Sequence, residues 1–251
     1  MAPTYFGPSF TTTAVLGRTK LSPQEIVSRL TGTLYQVAGK LNIRQWICPA
    51  VGVWDGSEAQ LHHTLNQYPA MADQQQPGAP FGQSVSLHAD FQLISQGPTG
   101  PIADEYGIHI GVLAGGPTLG QAHPLQRVRI KIHPRHQQLN SMSLPQTLLA
   151  LSHTLIDTLV QTWEPIMVHT LSRGTELRPP EGGWDIPCGL QLWLPSAIVP
   201  IQQTSDGVYI QPMGAGVLLT NPVDVPEAEL GRGLRATLEL NGYRHFPPPA
   251  A

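Results

Sequence analysis

Three runs of alternating apolar and polar residues lie close together in this chain, over 85–94, 106–113 and 126–132. In the first, Val85, Leu87, Ala89 and Phe91 alternate with polar neighbours, the period-two pattern of a strand with one buried face. The tight spacing of the three runs favours antiparallel neighbours over βαβ crossovers. Further strands are expected over 166–171, 190–194, 208–211 and 216–220, with Asp206-Gly207 as a hairpin turn signal before Val208. The β-rich run 45–53 contains Pro49, which restricts it to an edge or a broken strand.

Helix-start chemistry occurs four times. Ser22-Pro23-Gln24-Glu25 is the clearest: a serine to accept from the first turn, a proline where no N–H is needed, and a glutamate to reach back. Ile26, Leu30, Leu34 and Val37 then share one face, predicting a helix over 23–39 with Gly39 as its stop. Asp55-Gly56-Ser57-Glu58 opens a short helix carrying Ala59, Leu61 and Leu65 and ending before Pro69. Ser143-Leu144-Pro145-Gln146 opens a helix to Trp163 whose broad apolar face makes it the most buried. Asp224-Val225-Pro226-Glu227 predicts a fourth over 226–241, closed by Gly242.

Helices interspersed with groups of sequential strands give an α+β class, mostly antiparallel sheet with about four amphipathic helices. The helix-then-strands order occurs over 20–135 and again over 143–241. This suggests two similar halves sharing one core within a single domain spanning 1–251, with the half boundary near 137–143. The polar, turn-rich stretch 73–80 reads as a flexible surface loop and the proline-rich 246–251 as an extended tail.

Composition narrows the function classes. Charged residues make up only 12% of the chain, against about 25% in a typical domain, and 25 of 251 residues are proline. The net charge is −3, without the basic surplus of a dedicated nucleic-acid binder. No apolar run is long enough for a transmembrane helix and the first residues carry no basic n-region, so a cytoplasmic protein is expected. Cys48 and Cys188 are then expected as reduced core residues.

No G-x-S-x-G, H-E-x-x-H or phosphate-loop lysine motif is present, and neither catalytic residues nor a cofactor is expected. Gly115–Gly120 and Gly214-Ala215-Gly216 read as turns rather than nucleotide loops. Asp104-Glu105 and His153 with Asp157 are formal acid–base pairs without a nucleophile. The 10 histidines include His62-His63, adjacent on a helix and about 100° apart, and His133 with His136; neither pair supplies the three or four converging ligands of a metal site.

Two features suit a partner. Arg127, Arg129, Lys131 and His133 alternate onto one strand face, and no acid occurs between Glu105 and Asp157. This stripe is either a contact for an acidic partner or a phosphate backbone, or the plain solvent face of a strand. The segment 173–193 combines Glu176, Glu181, Trp184 and Asp185 on a proline-stiffened loop, a good docking surface because little entropy is lost on binding. Its alternative is an ordinary connection with Trp184 over the core. Trp46, Trp54, Trp163 and Trp193 are expected in the core.

Across most of its length the chain resembles the immunity protein 52 family of bacterial polymorphic-toxin and type VI secretion systems. The resemblance is carried by an early strand ending at Gly17-Arg18, the helix start Ser22-Pro23-Gln24-Glu25-Ile26, and Trp46 after Leu41. It continues in Trp163-Glu164-Pro165, Arg173-Gly174-Thr175, Gly189-Leu190-Gln191-Leu192-Trp193-Leu194, Gly214–Leu219 before Asn221-Pro222, and Tyr243-Arg244. The family's Gly-Trp…Tyr-Leu segment has Leu190 and Trp193 in place of its aromatic pair. The resemblance implies an α+β immunity protein, not an enzyme, that binds a cognate effector nuclease of the restriction-endonuclease-like class and protects the producing cell. Such an inhibitor often offers acids to a nuclease's basic surface, which points to Glu176, Glu181 and Asp185. An effector adaptor, or a structural part of a secretion or phage assembly, shares the composition; a small hydrolase is the third class.

Overall fold

The structure, a computed structural model, describes residues 9–17, 21–67, 83–97, 100–114, 126–135, 144–172, 186–222 and 231–243. Within them the elements run β1 (Phe10–Val15), α1 (Pro23–Leu41), β2 (Ile47–Cys48), β3 (Gly52–Val53), α2 (Glu58–Gln67), β4 (Gln83–Gly97), β5 (Gly100–Ala114), β6 (Arg127–Pro134), α3 (Leu144–Trp163), β7 (Met167–Ser172), β8 (Gln191–Pro195), β9 (Tyr209–Met213), β10 (Gly216–Thr220) and α4 (Arg232–Leu240). The fold is α+β. All ten strands join one antiparallel sheet in the order β3-β2-β4-β5-β6-β1-β7-β8-β10-β9.

The three alternating runs become β4, β5 and β6, each longer than its apolar pattern at one or both ends. Most of their apolar positions face the same way: Val85, Leu87, Ala89 and Phe91 on β4, Ile108 and Ile110 on β5, and Val128, Ile130 and Ile132 on β6 are buried together, while Ile94 is exposed on the other face. The 45–53 run breaks at Pro49 into the short hairpin β2–β3 at one edge of the sheet. β1 holds the centre, between β6 and β7, and so stitches the first six strands to the last four.

Helices α1, α2 and α3 cover one face. The α1 start forms a reciprocal capping box: the Glu25 N–H donates to the Ser22 hydroxyl at 3.2 Å and the Ser22 N–H donates to the Glu25 carboxylate at 2.7 Å. The Ser22 bonds, backbone first, hold the Glu25 carboxyl below its ordinary range. Removing the cap with Ser22→Ala is expected to lower the thermal midpoint by about 2–4 °C, measured by circular dichroism. Gly39 does not end this helix. It continues to Leu41, which packs on the core, and closes at Asn42 in the left-handed region with φ 53°. At α2, Ser57 accepts from the Gln60 N–H at 3.2 Å, as its start signal requires.

Against α1 lies α3. The Arg29 guanidinium donates to the Trp163 carbonyl at 2.8 Å, the Trp163 indole N–H donates to Thr33 at 2.8 Å, and Thr33 meets Thr162 at 3.1 Å. The core beneath them takes residues from both halves of the chain, from Leu30 and Leu87 to Leu155, Trp193 and Leu218. Trp46, Trp54, Trp163 and Trp193 are all buried, and so are Cys48 and Cys188.

On the opposite face, among the described residues, a helix packs at one end only. There Leu234 and Leu238 of α4 pack with Leu192, Leu194, Leu219 and Ile186. The expected α4 start at 224–227 lies outside the described residues; the described helix begins at Arg232 behind Gly231, with no side-chain cap. Gly242, at φ 81°, closes it as expected, with the Tyr243 N–H donating back to Leu238. Asp206-Gly207 forms a turn but not a hairpin, because β9 pairs with β10 alone; that hairpin is made at Gly214-Ala215. The loop 73–80, the half boundary 137–143 and the tail 246–251 lie outside the described residues.

Candidate functional site

Ser86, His88 and Asp90 of β4, His109 of β5 and Arg127, Arg129, Lys131 and His133 of β6 fall on the face away from α1–α3, and strand register aligns them into rows. One row runs His88, His109, Lys131, Thr11 and Leu171 across β4, β5, β6, β1 and β7. The next runs Ser86, Gly111, Arg129, Thr13 and His169, and a third Asp90, Gly107 and His133. Arg127, Arg129 and Lys131 are exposed, alternating with fully buried Val128, Ile130 and Ile132. The stripe read from the sequence is therefore one edge-on line within a broader cationic and imidazole face.

Glycine makes room for part of it. A Cβ at Gly107 would stand 2.6 Å from the His133 ring and 3.2 Å from Arg135 Nε, so the bare backbone of β5 lets His133 lie across it. Arg135 donates through Nε to Asp90 at 2.6 Å and through a second guanidinium nitrogen to the same oxygen, which occupies the one acid of these rows. Neither Arg129 nor Lys131 pairs with a carboxylate among the described residues.

The face is electrostatically one-sided. Burial, then His88, Lys131, His133 and Arg129 together, push His109 below the ordinary histidine range. Burial, then Arg135 and Lys131, push His133 down against the opposing pull of Asp90. Burial, then Arg129, push His169 down to about 4. At neutral pH these rings are therefore uncharged donors and acceptors beside fixed cations.

Stability acquires a pH dependence from His169. Its folded value of about 4 lies below the ordinary 6.5, so the unfolded chain binds the extra proton between those two pH values. The contribution is complete above pH 6.5 and is lost as pH falls through that window, by about 2 kcal/mol between pH 7 and pH 5. Urea unfolding at both pH values should show that part of the loss disappear in His169→Gln.

Between β1, β6 and β7 the face deepens into a cleft of about 890 Å³ lined by Thr11, Thr13, Arg129, Lys131, His133 and His169 among others. His169 is only 7% exposed, and its Nδ1 and that of His133 have no hydrogen-bond partner among the described residues.

The second sequence-derived surface, Glu176, Glu181, Trp184 and Asp185, lies outside the described residues. The formal acid–base pairs do not assemble. Asp104 is buried on the helix side with Tyr106, whose hydroxyl burial and then Asp104 drive far upward, whereas Glu105 alternates to the other side. His153 bonds Gln211 at 2.8 Å, and Asp157 bonds Gln161 at 2.8 Å and Lys40 at 3.4 Å. Among the described residues no group of three His, Cys, Asp or Glu side chains is placed to hold a metal ion, and no helix is long and apolar enough to cross a membrane.

Sequence reasoning missed His88, His109 and His169 as companions of the stripe, and Thr11 and Thr13 with them. The signal was available for two: His88 and His109 occupy polar positions of the alternating runs and so must share a face with Arg129 and Lys131.

No protein-family model matches the chain, and no curated protein matches it. The resemblance to immunity protein 52 rests on the residue motifs alone. Among solved structures the chain is similar to a T6SS protein of Pseudomonas aeruginosa at 11% identity, with a TM-score of 0.42, over 95% of this chain and 73% of that one.

Proposed function

We propose that this chain is an immunity protein that binds and neutralises a cognate bacterial toxin, a type VI secretion effector nuclease, in the cytoplasm of the producing cell. The observation that carries the reading is the exposed line of Arg127, Arg129 and Lys131 on a rigid central strand. A sheet face held by flanking strands on both sides presents its charges without a backbone ordering cost, which favours specific docking. Its sign selects an acidic surface, and a nuclease concentrates carboxylates where it holds its metal ions. The chain acts here by occlusion and turns over no substrate; it needs no cofactor.

Co-expression tests this. The protein encoded beside the gene for this chain is expressed in a naive bacterium with and without it. Rescue of survival together with co-purification is the expected result. A neighbour that is harmless, or that kills in the presence of the chain, refutes the immunity reading.

A further inference from the structure

The cleft between β1, β6 and β7 has a chemistry more specific than a charged surface. Among the described residues its lining contains no carboxylate. Arg129 and Lys131 stand two residues apart on β6, and across from them β1 presents Thr13 and Thr11 in register. On the far side Thr13 is paired in register with His169, which is more than nine-tenths buried and whose Nδ1 is unpartnered among the described residues. His133 lines the same cleft beside Lys131.

We propose that this cleft is a binding site for a phosphate group, taken as the dianion of a small phosphomonoester. Arg129 and Lys131 supply the two positive charges, and the Thr11 and Thr13 hydroxyls with the His133 and His169 rings supply neutral donors. A carboxylate offers two oxygens and one charge to this set. A phosphomonoester offers three terminal oxygens and close to two charges at pH 7, which matches both the donor number and the cation number. The cleft volume of about 890 Å³ exceeds a phosphate ion and leaves room for an organic body. With the anion bound, His133 and His169 each face an added negative charge, so both rings titrate at higher pH than in the free protein.

This inference goes beyond the immunity reading and needs no toxin, so each fails or stands separately. The test is calorimetric titration of the full chain with inorganic phosphate at fixed ionic strength, with acetate as the carboxylate control. Nitrogen-detected imidazole spectra accompany it. Saturable one-to-one phosphate binding is expected, with acetate weaker by about tenfold or more. Arg129→Gln with Lys131→Gln, both at exposed positions, should weaken phosphate by at least about tenfold with an unchanged melting midpoint. The His133 ring signal, identified by its loss in His133→Gln, should shift on titration while those of His62 and His63 stay fixed. The proposal is overturned if phosphate does not saturate, if acetate binds equally well, or if the double variant binds phosphate like the parent chain.

Discussion

Reversing two charges, Arg129→Glu with Lys131→Glu, is expected to abolish partner binding while leaving the fold standing. Both side chains are exposed at the centre of the cationic face, and neither takes part in an ion pair among the described residues. Replacing them therefore breaks no ion pair among the described residues, and the melting midpoint should stay within about 3 °C of the parent value. At a docked acidic surface the same change turns two attractions into two like-charge contacts at close range. The expected loss of affinity is at least about a hundredfold, read by calorimetry on the purified proteins. Raising the salt concentration should weaken the parent complex and strengthen the residual binding of the variant, because screening acts on the attraction in the one and on the like-charge repulsion in the other.

The largest effect on stability is expected at Trp163. The ring is 2% exposed and lies in the core shared by both halves. Its indole N–H donates to Thr33 at 2.8 Å and its carbonyl accepts from Arg29 at 2.8 Å, so the residue ties α3 to α1. Trp163→Ala removes the ring and leaves a cavity between the two helices, a loss of about 3–5 kcal/mol. For a chain of this length the midpoint should fall by about 10 °C, measured by calorimetry or circular dichroism. Trp163→Phe keeps most of the apolar volume and loses only the indole donor, so a fall of less than half that size is expected.

What the sequence disclosed and what it withheld follow a physical line. Local signals translated directly: the capping box at Ser22 and Glu25, the break at Pro49 and the alternation of β4 to β6 depend on neighbours within a few residues. The exact helix ends did not. Gly39 stops nothing because Leu41 still has apolar core to bury, and tertiary packing outweighs a local preference. Sheet order was also beyond reach. That β1 lies between β6 and β7 is a pairing of residues 112 or more apart in sequence, such as Val15 with Arg127, decided by the whole hydrophobic pattern rather than by any motif. The functional face shows the same division. Its stripe of Arg127, Arg129 and Lys131 was legible in one strand. The companions on four other strands became visible only through register, which brings His109 beside Lys131 and Thr13 between Arg129 and His169.

Lysine labelling tests the docking face most directly. The chain has three lysines: Lys131 on the cationic face, Lys40 on α1 at 3.4 Å from Asp157, and Lys20 outside the described residues. Free protein and the co-purified complex are treated briefly with an amine-acylating reagent, and modification at each lysine is quantified by mass spectrometry. Docking through the open sheet face predicts strong protection of Lys131 in the complex and little change at Lys40. Equal labelling of Lys131 with and without the partner would place the interface elsewhere and contradict the reading of this face.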